Sequence, residues 1–488
     1  MKKHKHISLK NSLVVFSFSF LFIIFYSCVK DPAIPVFGDY PEEVGEIFAN
    51  KCSTPGCHNS TSYKACADLN LSSFTTLFQG SNNGSPVIPY RSDFSSLCYF
   101  INTYEELGPI NAPTMPINAN ALSKSEVQII KNWIENGAPD INGHVMWSDN
   151  PNRKKYYVLN QGCDVVTVFD ADTQLPMRYI TVGNNPLVSE SPHMIRTSPD
   201  GKYWYVVFVA NNILQKYRTS DDSFVGEVSL GAYQNWNTIA ISNDSKRAYC
   251  VAWQANSRLA IVDLENMSLK YNVGGGNFTD AHGVALNKTN DTIYITRQTG
   301  NYIFKIDTAL NGFSEVVIDG SGIPNQTSSL DPHEIIFSPD GSKYFVTCQK
   351  SNEVRVLNTA NDALLQTIYT GQYPLEFAMS SSKNKIYVVC QDEPSSIPNT
   401  KGSVTVIDMT TYQSSNHSVG YQPHGIALDE ENGYVIVASR NLANGPTPHH
   451  TGVCGRNGFV NYFNINTMQL LSKKTEVASD PYSVFVRP

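Results

Sequence analysis

Charged residues are scarce in this chain. Only 16% of its 488 residues are Asp, Glu, Lys or Arg, and the balance is acidic, −7 at neutral pH. So little charge excludes a long disordered chain and a coiled coil. The missing basic surplus argues against a nucleic-acid binder, which neutralises phosphates with Lys and Arg. No apolar run is long enough to span a bilayer comfortably: Leu13 to Tyr26 has 14 residues, against the ~20 a membrane helix needs. Gly (31), Pro (26), Tyr (26) and Phe (23) are plentiful instead, a composition of strands and turns. At ~150 residues per domain the length allows two or three domains, or one large repeat domain and a small one.

The first 27 residues read as a leader. Lys2, Lys3, Lys5 and Lys10 make a basic start, the apolar run follows, and Ser27-Cys28 ends it with no Ala-x-Ala site nearby. Phe25-Tyr26-Ser27-Cys28 resembles a bacterial lipobox, with Phe25 where that motif has Leu. The resemblance implies export and a lipid on Cys28, anchoring the chain to a bacterial membrane on its periplasmic or outer surface. Residues 28–40 then read as a tether, 41–140 as a first domain, 141–153 as a linker and 154–488 as a strand repeat.

The repeat shows in seven windows, opening at His193, Asn237, His282, His333, Leu375, His424 and Tyr482. Their spacings of 44, 45, 51, 42, 49 and 58 residues fit a propeller, with four short strands per unit. Turns such as Pro199-Asp200-Gly201 follow the windows. The segment Tyr156 to Val182 lacks a first strand, and Tyr482 to Arg487 is a first strand with nothing after it. The two ends therefore complete one blade and leave no open edge. The repeat resembles the bacterial YVTN-type β-propellers, which implies a seven-bladed all-β domain. That fold hosts many unrelated activities and does not name one.

In the first domain Cys52-Ser-Thr-Pro-Gly-Cys57-His58 has the pattern of covalent haem attachment, two thiols followed directly by a histidine, but with four residues between the thiols where two are usual. Val44, Ile47 and Phe48 share a helical face just before it. Downstream come Met115 between two prolines and a capping box, Ser123-x-x-Glu126. The box opens a helix with Val127, Ile130, Trp133 and Ile134 on one face, ended by Gly137. This order resembles a cytochrome c domain. The expected fold is thus multi-domain: a small all-α cytochrome c-like domain, then the propeller. The resemblance implies one covalent haem c on Cys52 and Cys57, His58 as proximal iron ligand and Met115 as distal ligand, with Met146 and His144 as alternatives. A Cys52–Cys57 disulfide, or a zinc site with Cys66 and Cys98, would also account for the thiols.

Possible disulfides are Cys66–Cys98, Cys348–Cys390 and Cys163–Cys454, leaving Cys250 buried in its strand. Four of the seven window residues are histidines, His193, His282, His333 and His424, a possible channel-mouth site. Nitrous oxide reductase binds copper with histidines around a seven-bladed ring, and this pattern partly resembles it, departing at Asn237, Leu375 and Tyr482. Spread over a wide mouth the four imidazoles need not meet on one ion, so copper or zinc in the propeller is not favoured. The second-to-third-strand loops, Gln391 to Gly402 and Asn441 to Gly458 with His449, His450 and Cys454, open on the same face. Together these features describe an exported, lipid-anchored c-type cytochrome that transfers electrons through one haem. Its propeller would be a platform for a redox protein or a small-molecule donor or acceptor. Two alternatives stay open. One is a periplasmic haem or metal oxidoreductase with its active site at the channel mouth. The other is a surface-binding lipoprotein without a redox role.

Overall fold

A computed structural model describes residues 37–232, 235–440 and 456–488. Cys28 and the leader lie outside the described residues, as do His449, His450 and Cys454. Residues from Lys155 onward build seven four-stranded antiparallel sheets, a seven-bladed β-propeller. The innermost strands are Pro192–Thr197, Trp236–Ile241, Ala281–Leu286, Pro332–Phe337, Pro374–Ser380, Pro423–Asp429 and Pro481–Val486. Each of the seven sequence windows begins at the second residue of one of them. The predicted closure is present: Lys155–Asn160 pairs antiparallel with Pro481–Val486, Val158 facing Val484.

The strands follow from alternation. On Tyr203–Phe208, Trp204, Val206 and Phe208 face the closing blade, while Tyr205 and Val207 face the next blade. A strand buried on both faces carries apolar residues at nearly every position. The turns repeat as well. Ser198 Oγ donates to Asp200 Oδ1 at 2.6 Å and accepts the Tyr203 N–H at 3.1 Å, and Ser338 and Asp340 do the same at 2.6 Å. Gly201 takes φ +69° there, a conformation that costs glycine little.

The expected separate all-α domain over 41–140 is not what forms, and that fold class is corrected. The region contains only four short α-helices, Glu42–Ile47, Phe74–Leu77, Ser96–Ile101 and Lys124–Glu135. Residues 37–488 are one compact unit. Helices of four to six residues cannot enclose a core of their own. The segment's core instead runs on into the closing blade, joining Leu77, Val87 and Ile130 to Val166, Val168 and Leu175. Polar contacts follow the same seam: Ser85 Oγ donates to the Pro176 carbonyl at 2.7 Å and Arg91 to that of Tyr179 at 3.0 Å. Within the segment the local expectations hold. Ser123 and Glu126 form the capping box, and Val127, Ile130, Trp133 and Ile134 are the buried face.

Two expected disulfides are corrected. Cys66, Cys98, Cys348 and Cys390 carry free thiols. Cys348 and Cys390 lie in different inter-blade cores, each thiol turned along its own strand toward the carbonyl two residues back. Cys163 is disulfide-bonded, and Cys454, its expected partner, lies outside the described residues. Cys250 is buried in its strand, as expected.

A buried ion pair ties the closing blade to its neighbour. Lys155 Nζ lies 2.8 Å from Asp222 Oδ2, Trp204 Nε1 donates to Asp222 Oδ1 at 3.3 Å, and Lys155 also donates to the Thr219 carbonyl at 2.9 Å. Burial pulls the Lys155 ammonium down and pushes the Asp222 carboxyl up from their ordinary values. Removing one partner strands the other charge. Lys155→Met is expected to destabilise the propeller by about 3–5 kcal/mol in denaturant titration, with most of the loss recovered when Asp222→Leu is added.

Candidate functional site

Two places bring chemistry-bearing side chains together. The first is the Cys52–His58 loop. A turn of π-helix, Phe48–Cys52, follows the first α-helix and buries Cys52 at its end. The four-residue spacer then folds back: Cys57 N–H donates to the Thr54 carbonyl at 3.0 Å and His58 N–H to that of Cys52 at 3.1 Å. Both thiols are free. Burial first, then the neighbouring Cys57, pushes the Cys52 thiol up to about 12. His58 Nδ1 lies 3.0 Å from the Leu69 carbonyl. A carbonyl only accepts, so Nδ1 carries the proton and Nε2 keeps a lone pair for a metal. Phe48 and Trp133 meet edge to face beside the loop at 6.2 Å. Met115 and Met146 pack half-buried against the same core, and His144 is exposed. Thiols on one turn and an imidazole fixed through its far nitrogen are what a covalent haem requires, and these residues fit it.

The second place is the central channel. His193, His282, His333 and His424 are all buried there. They line a cavity of 640 Å³ together with Trp253, Gln298, Gln349, Lys401, Arg440 and Tyr482. This size suits a small polar molecule. Lys401, the first residue of the strand Lys401–Asp408, pairs with Asp392 of the strand Lys385–Pro394 at 2.7 Å at the cavity wall. Arg440 is held by Asp480 and lies over the Tyr482 ring at 4.9 Å. The sequence places the four imidazoles far apart on a wide rim. The structure closes them into a chain instead, with ring centroids 6.2 Å apart for His193–His282, 4.0 Å for His282–His333 and 6.0 Å for His333–His424. The reason is the approach of neighbouring inner strands. A Cβ on Gly283 would lie 2.5 Å from the His333 carbonyl, so glycine allows that contact. The histidines are also oriented. Nδ1 of His193 lies 2.7 Å from the Asn237 carbonyl, that of His282 3.2 Å from His333's, and that of His424 2.9 Å from Tyr482's. Each of these three imidazoles thus hydrogen-bonds the backbone of the next window.

Below the imidazoles lie residues that the site assignment from sequence missed. Glu334 and Glu376 are buried and line a second cavity of 350 Å³ with Arg196 and Phe485. Glu334 Oε1 is 3.8 Å from His282 Nδ1, and Glu376 Oε1 is 3.5 Å from His424 Nδ1. The signal was present, since Glu334 and Glu376 follow a window residue directly. Burial pushes the Glu334 carboxyl up to about 7 and the Glu376 carboxyl up to about 8, Arg196 opposing it in both.

No family model matches the sequence. No curated protein matches it either. Solved structures match the fold. The periplasmic gluconolactonase of Pseudomonas aeruginosa is 16% identical, with 69% of this chain and 99% of that one covered, at a TM-score of 0.52. A Bacteroides fragilis protein provisionally assigned as a 6-phosphogluconolactonase is 12% identical, with 69% and 98% covered, at 0.51. A functionally unknown protein from Desulfotomaculum acetoxidans is 17% identical, with 67% and 99% covered, at 0.50. At these identities the likeness establishes the seven-bladed propeller fold and no activity.

The raised carboxyls give a pH prediction with a definite sign. The folded state holds these protons more tightly than the unfolded chain, whose glutamates titrate near 4.5. Their stabilising effect is full below that pH and is lost as pH rises through about 7 and about 8. In chelator-treated protein Glu376→Gln is expected to flatten the fall in melting temperature between pH 5 and 8.5, and to melt above the parent at the alkaline end. Identical pH profiles would contradict the buried-carboxyl account.

Proposed function

We propose that the chain is an exported redox protein, carrying one haem c on the Cys52–His58 loop and using the propeller's histidine-lined cavity to hold a small polar partner or substrate. The observation that carries the reading is the His58 imidazole, whose Nδ1 is engaged by the Leu69 carbonyl while Nε2 is left for iron, directly after two free thiols on a folded-back turn. Cys52 and Cys57 would bond the haem vinyl groups, His58 would be the proximal ligand and Met115 the distal one. A haem so held supplies a one-electron couple, and methionine ligation sets it at a higher potential. Met115 N–H donates to the Phe100 carbonyl at 2.7 Å, which fixes this residue's backbone on the core. The seam with the closing blade supports a rigid placement of this segment against the propeller. The lipid anchor at Cys28 would hold the molecule at a bacterial membrane, where a redox protein or a small donor or acceptor reaches it.

Two variants test the haem assignment on the full chain, expressed with a cytochrome c maturation system. Cys52→Ala/Cys57→Ala is expected to abolish haem staining after denaturing electrophoresis and to leave the propeller's melting transition in place. His58→Ala is expected to keep the covalent haem and change its spin state in the visible spectrum. Haem staining that survives loss of both thiols contradicts the proposal, as does a parent chain that stains for none.

A further inference from the structure

The waist of the channel holds a second chemistry, independent of the loop at Cys52. One potential ligand atom from each of His282, His333 and Glu334 lies within 4.8 Å of the others, and all three residues are buried. Donors on a tetrahedral ion with bonds of about 2.0–2.1 Å stand roughly 3.3 Å apart, so side-chain rotations of about an ångström would complete the set. Charge points the same way. Glu334 and Glu376 are buried together and share the lining of the second cavity with Arg196. Glu334 Oε1 and Glu376 Oε1 have no hydrogen-bond partner among the described residues. A buried carboxylate oxygen without a partner is costly, and a cation beside it removes that cost.

We propose that His282, His333 and Glu334 bind one divalent transition-metal ion at the waist of the propeller channel. Two imidazoles and one carboxylate select an ion of the zinc, iron(II) or copper(II) group over magnesium or calcium, which prefer oxygen alone. Three protein ligands leave a coordination position open. The imidazoles line the larger cavity, so a small oxygen-bearing molecule held there by Gln298, Gln349 and Lys401 can reach that position. Glu376 completes the outer layer beside His424, next to Arg196. The sequence alone argues against stoichiometric zinc or copper because it keeps the imidazoles apart; their 4.0 Å approach at His282 and His333 removes that objection.

The test is zinc titration of the chelator-treated full chain by calorimetry, with elemental analysis of the gently purified protein. One zinc equivalent per chain is expected, and cobalt(II) in its place should give a visible d–d spectrum of a nitrogen–oxygen site. Glu334→Gln keeps the volume and is expected to weaken zinc about 100-fold; His282→Gln/His333→Gln should abolish it, with melting transitions retained. The same titration on Cys52→Ala/Cys57→Ala should be unchanged, which separates this site from the haem loop. Substoichiometric zinc, or one equivalent that persists in His282→Gln/His333→Gln, overturns the proposal.

Discussion

The antiparallel pairing of Pro481–Val486 with Lys155–Asn160 is the contact on which the remaining architecture depends. It turns a row of blades into a ring, and only a ring brings residues from distant blades to one axis. His193 and Tyr482 are 289 positions apart by number, yet their rings lie 4.2 Å from centroid to centroid. His424 stacks on Tyr482 at 3.5 Å, so the last strand is part of the chain of imidazoles it closes. Closure joins chain ends, which pays a large loop entropy. The buried Lys155–Asp222 pair then ties the completed blade to its neighbour, beside the Trp204–Tyr217 stack of that neighbour.

The propeller was legible because its signal is periodic. Every inner strand begins one residue before a window opener, and the Ser198–Asp200 and Ser338–Asp340 turns recur at matching places. Local caps were legible too, as at Ser123 and Glu126. What escaped depends on distances that spacing does not encode. The approach of His282 to His333 is set by Gly283 passing close to the neighbouring backbone. Cys348 and Cys390 occupy equivalent strand positions yet point into separate cores, so equivalence predicted a bond that does not form. The haem pattern led to an independent all-α domain, but a motif reports local chemistry and not where its core is completed. Here Leu77, Val87 and Ile130 are covered by the closing blade.

That shared core links two otherwise separate parts of the fold, the Cys52–His58 loop and the closing blade. The Cys52–His58 loop leans on Phe48 and Trp133, which belong to the same cluster as Val166 and Leu175 of the blade containing Tyr157. The closing blade in turn supplies Tyr482 to the channel. A redox group on the loop and a polar cavity on the axis would therefore be held by one rigid element, the blade assembled from both ends of the repeat. On the proposed function, such placement would set a haem and a cavity-bound molecule in position without a domain movement.

Ring closure in solution is the central claim, and hydrogen exchange of the full chain read by mass spectrometry tests it most directly. Peptides covering residues 481–486 and 155–160 are predicted to show the same protection as the inner strand Pro332–Phe337 and to open with it in a single cooperative step. Rapid exchange at 481–486, as in a fraying terminus, with protection kept at 332–337, would show an open ring and contradict the account.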